Sequence, residues 1–331
     1  MISESVPVEF HEWLKHPAIP LLPSKVAVGW SGGADSTALL LALKFSGYDV
    51  VAWHVDHGWR ESSRDESRML AARAAQWDIP FVAARLEHAM GSNREAEARD
   101  GRYAQFLNWS RESGITTLCL GHQRDDQAET VCMRLLQGAA AAGCRGMAAE
   151  RLFHGLRIVR PLLHVTGQAL REVLKKGEFG WFEDPSNSDL TIFRNHIRQV
   201  LFPRMAEAGV APEALFMRWQ KQAVLLAKQL DIGADAVFAA DQVVAGDQTT
   251  QVSLPWAQWA DCSAPIRARV LQRLMASVLG EGVTPGRRHI VMVEQWTSRN
   301  GRGGLDLSGC RLQRRRGDLQ LLPTAAACGQ S

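Results

Sequence analysis

Residues Val26 to Leu43, VAVGWSGGADSTALLLAL, join a strand-length apolar run to a helix-length one through a loop of two glycines, an Asp and a Ser. A buried strand that feeds a helix through so short a loop is the unit of an open α/β sheet, and such sheets bind ligands at the carboxyl ends of their strands. Gly32 and Gly33 have no Cβ, so backbone N–H groups can close on an anion. The helix that starts near Ser36 turns its positive end to the same place. The loop therefore suits phosphate. It is not a Walker loop, because Asp35-Ser36 stands where Lys-Ser/Thr is required, and its glycine spacing is not that of a dinucleotide fold.

The alternation continues along the chain. Strand-like runs at 48–58, 80–86 and 115–122 and an extended segment at 156–163 alternate with helical patterns at 63–77, 94–112, 126–136 and 166–176. That rhythm predicts a doubly wound, parallel α/β sheet. The pattern turns helical from Phe193 to Leu230, then yields a helix at 264–279, another at 287–296 and two strand-like runs with a turn near Arg316-Gly317-Asp318. The expected organisation is an N-terminal extension (1–23), a catalytic domain (24–210), a helical linker (211–230) and a smaller C-terminal α+β domain (231–331). At 331 residues, 46% of them hydrophobic, the chain has the material for two cores.

Charge is placed unevenly. Residues 264–331 hold eleven Arg, no Lys and four acids, a net +7 that leaves −4 for residues 1–263. A basic end suggests a polyanionic partner, with a solvated basic face as the alternative. The six cysteines include no C-x-x-C pair and no His/Cys cluster at zinc spacing, so a cytoplasmic protein with reduced thiols is expected. The N-terminus lacks the basic and apolar regions of a signal peptide, and no run approaches a membrane span.

Two further motifs fall at predicted strand ends beside the loop: HVDHGWR (54–60) and GHQRDDQAET (121–130). EDPSNSDLTIFRNHIR (183–198) follows the sheet. The S-G-G-x-D-S loop resembles that of the PP-loop ATP pyrophosphatases, which adenylate an oxygen and release pyrophosphate. With EARDGRY (97–103), RPLL (160–163) and the motifs above, residues 24–204 resemble the tRNA(Ile)-lysidine synthetases, in the short form that lacks an extra C-terminal domain. The resemblance implies a fold of the PP-loop, adenine nucleotide hydrolase-like type. It implies an ATP- and Mg²⁺-dependent ligase that adenylates C2 of the wobble cytidine in a CAU-anticodon isoleucine tRNA, and then lets free L-lysine displace AMP to form lysidine.

Carried over by that resemblance, Ser31, Gly32, Gly33, Ala34, Asp35, Ser36 and His57 bind ATP. Asp35, Asp125 and Asp126 are the candidate Mg²⁺ ligands, and Asp126 is the preferred catalytic carboxylate. His122 binds phosphate, orients the acid or takes a proton from the attacking amine. Asp35, Arg99 and Arg102 complete the catalytic set. Glu129, Arg194, Asn195 and Arg198 are expected to bind substrate, and Arg314 and Arg316, facing one way from a strand, to bind the tRNA backbone. A homodimer is the assembly to test.

Plainer readings stand beside these. Acids in a first helical turn answer the helix dipole, Arg99 and Arg102 can pair with Glu95 or Glu97, and a charged strand edge guards against aggregation. Trp30, and Gln137 followed by GAAAAGCRGM, depart from the family pattern. The rivals are another PP-loop tRNA-modifying enzyme, such as a thiolase with reactive cysteines, and an ATP-binding RNA-binding module without turnover.

Overall fold

The computed structural model describes residues 6–56, 58, 63–86, 94–183, 189–238, 252–280 and 283–324. The chain divides into two compact units, Met1–Lys221 and Gln222–Ser331.

The first unit is built on six strands: β1 (Lys25–Gly29), β2 (Asp49–Asp56), β3 (Phe81–Arg85), β4 (Thr117–Leu120), β5 (Glu150–Phe153) and β6 (Leu156–Val159), in the order β3-β2-β1-β4-β6-β5. Every pairing is parallel except β5 with β6. The sheet is thus parallel as expected, apart from one antiparallel edge strand. That strand escaped the sequence reading because its turn, His154-Gly155, hides an ordinary His in a left-handed conformation (φ +48°, then +87°), where Asn-Gly would have announced a hairpin.

Both faces of the sheet are covered. Val26 and Val28 of β1 point into one core, with α1 (Glu9–Leu14), α2 (Ala34–Phe45), α3 (Ser63–Gln76) and α6 (Gly167–Lys176), while Ala27 points into the other, under α4 (Arg94–Ser113). Strands buried on both sides read as unbroken apolar runs, which is why β1 shows no alternation. α2 is buried without interruption from Ser36 to Leu43. Phe10 of α1 is completely buried, so the supposed extension belongs to this core. Trp30, the bulky departure, lies buried against Trp77 and Phe81 and donates its indole N–H to Thr37 Oγ1 at 3.0 Å.

The strand order reverses between β1 and β4, and ligands of open sheets bind at such a crevice. β4 feeds α5 (Arg124–Leu136) there. Beyond α5, the alanine-rich loop is pinned. Gln127 bonds both the N–H and the carbonyl of Met147, at 2.6 and 2.7 Å, and Arg134 donates to the carbonyls of Gly143 and Gly146.

The helical pattern after Phe193 is not one helix. α7 (Phe193–His196) passes through a π-helical turn, Ile197–Leu201, into α8 (Phe202–Glu207). The linker over 211–230 is helical, and its helix, α9 (Pro212–Phe238), runs on past Leu230, with the division between units falling inside it.

The second unit holds an antiparallel sheet, β7-β10-β9-β8, made of β7 (Val252–Pro255), β8 (Gly304–Leu307), β9 (Cys310–Arg315) and β10 (Asp318–Pro323). α10 (Trp256–Asp261), α11 (Ala264–Leu279) and α12 (Arg287–Ser298) pack on it around Trp256, Trp259 and Trp296. β7 and α10 were not foreseen. Among the described residues no helix is long and apolar enough to cross a membrane.

Candidate active site

The loop after β1 enters α2 through Gly33, whose extended backbone (φ −71°, ψ 164°) forms an N-cap with no side chain to bond the first turn. The opening N–H groups of α2 are left for a ligand, and the helix dipole favours an anion there. Gly32 is left-handed (φ +85°) and packs against Leu70 and Phe182, so no other residue fits it without strain. The loop is braced internally. Ser36 Oγ accepts from the Ser31 N–H at 3.3 Å and donates to the Gly33 carbonyl at 3.1 Å, and the Phe182 N–H donates to the Gly32 carbonyl at 2.9 Å.

The loop after β4 presses against this one. A Cβ on Gly121 would sit 2.9 Å from the backbone of Asp35 and Ser36, so only glycine permits the approach. Gly121 opens the GHQRDDQAET motif, and nothing local to it in the sequence signals this contact.

Asp35 is half-buried, and its buried Oδ1 has no hydrogen-bond partner among the described residues. Burial, and then the neighbouring Asp126 carboxylate, push its carboxyl up to about 7, while Arg171 and Arg198 pull the other way. Asp126 closes a capping box at the start of α5, its Oδ2 accepting the Gln123 N–H at 3.0 Å, and its Oδ1 faces Arg198 at 3.3 Å. Asp125 turns aside: its Oδ2 accepts the Gly167 N–H at 3.1 Å, at the start of α6. The three expected ligands therefore do not converge. Among the described residues no group of three or more His, Cys, Asp or Glu is placed to hold a metal ion. Mg²⁺ can be held by two carboxylates with retained waters, and Asp35 and Asp126, whose charges couple, are the pair that could hold it here.

On the other side of Gly121, His122 is surrounded by cations. Burial, and then Arg160, Arg194, Arg102 and Arg99, push its imidazole down to about 3, so the ring is neutral and a poor proton acceptor. Its Nδ1 lacks a partner among the described residues, as do the buried Nε atoms of Arg151 and Arg160. Arg99, Arg102 and Arg151 gather over the ring of Tyr103 at 5.8, 6.0 and 5.0 Å. Arg102 has its proton affinity lowered by burial. Guanidinium groups held this close together suit an anion, and buried polar atoms without partners mark where one would bind. Arg151 and Arg160 were missed as site residues: β5 was unrecognised, and Arg160 was read only as part of a motif.

Glu129, 1% exposed, is held by Arg198 in a two-pronged contact (2.6 and 3.1 Å) and by Arg194 at 3.5 Å. Arg194 also donates to Thr130 Oγ1 at 2.9 Å. Asn195 donates to the Asp189 carbonyl. Glu129, Arg194 and Arg198 are thus brought together, with Glu129 largely occupied in fixing Arg198, which itself sits in the π-helical turn. Such turns recur at functional sites and leave no sequence signature. His57 lies outside the described residues.

Arg314 and Arg316 do not share a strand face. Arg314 lies across from Leu319 on the core side, stacks over Trp256 at 4.6 Å and donates to Asn300, whereas Arg316 is the left-handed first residue (φ +52°) of the β9–β10 turn. Arg267, Arg269, Arg273 and Arg311 are neutralised by Glu294, Asp231, Asp235 and Asp306. The net +7 is therefore less available than it looked.

Burial raises the thiol of every described cysteine, Cys119 to about 12 and Cys132 and Cys310 to about 11. None of the five suits nucleophilic sulfur chemistry.

Residues 6–205 match the PP-loop domain family. The chain is 34% identical over 302 residues to a tRNA(Ile)-lysidine synthase of Thermus thermophilus, covering 88% of this chain and 56% of that protein. It is 35% identical over 226 residues to that of Zymomonas mobilis, covering 65% and 68%. It thus spans little more than half the length of several of the curated relatives it matches. Among solved structures, a U34-tRNA thiolase, NcsA, of Methanococcus maripaludis superposes with a TM-score of 0.54 at 16% identity over 66% of this chain and 76% of the other. Identity that low speaks for the fold alone.

Proposed function

Because the chain belongs to the tRNA(Ile)-lysidine synthase family of PP-loop proteins, we propose that it ligates free lysine to C2 of the wobble cytidine of a CAU-anticodon isoleucine tRNA through an adenylated intermediate. The observation that carries this reading is the uncapped start of α2, where Gly121 packs on the Asp35–Ser36 backbone, the Asp35 and Asp126 carboxylates couple, and Arg160 beside His122 leaves its Nε without a partner among the described residues.

The first step joins the C2 oxygen of cytidine to the α-phosphorus of ATP and breaks the bond to the β-phosphate. The loop N–H groups are suited to stabilise the departing pyrophosphate. Bound Mg²⁺, held by Asp35 and Asp126, would neutralise phosphate charge. In the second step the lysine amine displaces AMP and must shed a proton. His122 is too weak a base in this setting, which leaves that role to a carboxylate, Asp126 being the preferred one. Arg198, braced by Glu129, holds Asp126 in place. Arg99, Arg102, Arg160 and Arg194 fit the anionic groups of RNA or of the amino acid. In the second unit, Arg287, Arg288, Arg315 and Arg316 form no ion pair with described residues and are assigned to tRNA phosphates.

The test is incubation with ATP, Mg²⁺, lysine and a CAU-anticodon isoleucine tRNA transcript, followed by nucleoside mass spectrometry. Lysine-bearing cytidine with AMP and pyrophosphate is expected. ADP and phosphate, or binding without turnover, would defeat the proposal.

A further inference from the structure

Away from the PP-loop, a groove of about 530 Å³ lies between the first residue of α5 and the first three turns of α9. Its floor is apolar, with Val210, Leu215 and Met217. Its remaining side chains of consequence are Arg124, Arg218 and Lys221, and no carboxylate lines it. None of the three cations forms an ion pair with a described residue. Arg218 and Lys221 are three residues apart on one helix, so they present paired positive charge along one face. The groove lies wholly within the first unit.

Its position relative to the carboxylates follows from helix geometry. Arg124 precedes Asp126 by two residues, about 200° around α5. The groove and Asp126 therefore flank opposite sides of the same helical turn, roughly 10 Å across. A strand that offers one nucleotide to Asp126 has its neighbours within reach of the groove.

We infer that this groove seats a single-stranded nucleotide adjoining the one that reacts, its phosphate on Arg124, Arg218 and Lys221 and its base on the apolar floor. The inference rests on the tRNA-ligase reading above and assigns part of the substrate to a surface that reading leaves unused. Charge complementarity favours RNA: cations without acids take a polyanion, and an apolar floor between them takes the face of an unstacked base.

The experiment uses the full chain with Arg218→Ala and Lys221→Ala combined, both exposed and outside the proposed catalytic set. Binding of the CAU-anticodon transcript is measured across a salt series, with ATP binding and thermal midpoint as controls. The transcript should bind about tenfold more weakly, and the log–log salt slope should fall by between one and two units, as loss of two single-strand phosphate contacts requires. In turnover, KM for tRNA should rise while kcat holds within about twofold. Met217→Glu, which places a negative charge on the floor, should weaken tRNA binding with ATP affinity unchanged. Wild type that turns over tRNA alongside a double variant of unchanged affinity and slope overturns the groove alone. Wild type that binds no tRNA overturns both readings. Competition by polyglutamate as strong as by the transcript assigns the groove to acidic peptides and overturns it.

Discussion

Asp35→Asn should stabilise the ligand-free protein at neutral and alkaline pH while abolishing ATP cleavage. The Asp35 carboxyl is pushed up to about 7 from an ordinary 3.8, chiefly by burial and next by the Asp126 charge. Below pH 3.8 the group is protonated in both folded and unfolded chains. As pH rises toward 7 the unfolded chain ionises while the folded one holds its proton, so the folded state binds more protons and loses stability across that window. At about 1.4 kcal/mol per tenfold change in proton affinity, the full effect is about 4 kcal/mol, of which about 2–3 kcal/mol develops between pH 5 and pH 8. Asn keeps the shape and never ionises. Urea unfolding of both proteins at pH 5, 6, 7 and 8 isolates the contribution of Asp35 and the carboxylates coupled to it, because titrating groups not coupled to it cancel in the difference. The variant should gain on wild type as pH rises, and Mg²⁺ with ATP should narrow the gap by stabilising only the ionised wild type. A difference independent of pH would refute the assignment of Asp35 as a half-buried carboxyl whose unsatisfied Oδ1 awaits a cation.

Gly121→Ala drives a methyl into the backbone of Asp35 and Ser36, 2.9 Å away. We expect about 1–3 kcal/mol of destabilisation and at least tenfold weaker ATP binding by calorimetry; unchanged ATP affinity would show that the two loops need not touch. Arg198→Met leaves Glu129 with Arg194 alone, and chemical denaturation should report a loss of about 2 kcal/mol, below the 3–5 of a fully buried broken pair because Arg198 is partly exposed. Glu129→Gln in the same chain should recover part of that loss, and no recovery would separate the two residues. Arg314→Ala removes the Trp256 stack and the Asn300 contacts, so the second unit should lose about 1 kcal/mol in tryptophan-monitored unfolding. Weaker tRNA binding with no loss of stability would return Arg314 to the RNA-binding role first expected of it.

The doubly wound sheet was legible along the chain because its determinants are local. Strand-length runs such as Val26–Gly29 and helix-length runs such as Ala34–Phe45 alternate, and side-chain periodicity is a property of neighbouring residues. The phosphate loop was legible for the same reason, since Gly32 and Gly33 need no distant partner to free the backbone. α11 appeared with the bounds the pattern predicts, Ala264–Leu279. What stayed hidden depends on contacts between segments far apart in the chain. Asp125 and Asp126 are adjacent in sequence, yet one caps α6 through Gly167 while the other faces Arg198, because a one-residue step turns side chains about 100° apart on a helix. Gly121 matters only because β4 ends against Asp35, eighty-six residues earlier. His122 reads as a base in sequence, but the arginines of α4, α7 and the β6 end converge on it and keep it neutral. Arg314 and Arg316 look like a matched pair until the turn takes Arg316 out of the strand and the pleat sends Arg314 over Trp256. Local pattern sets the elements, and the free energy of burying charge among distant neighbours sets what each side chain is able to do.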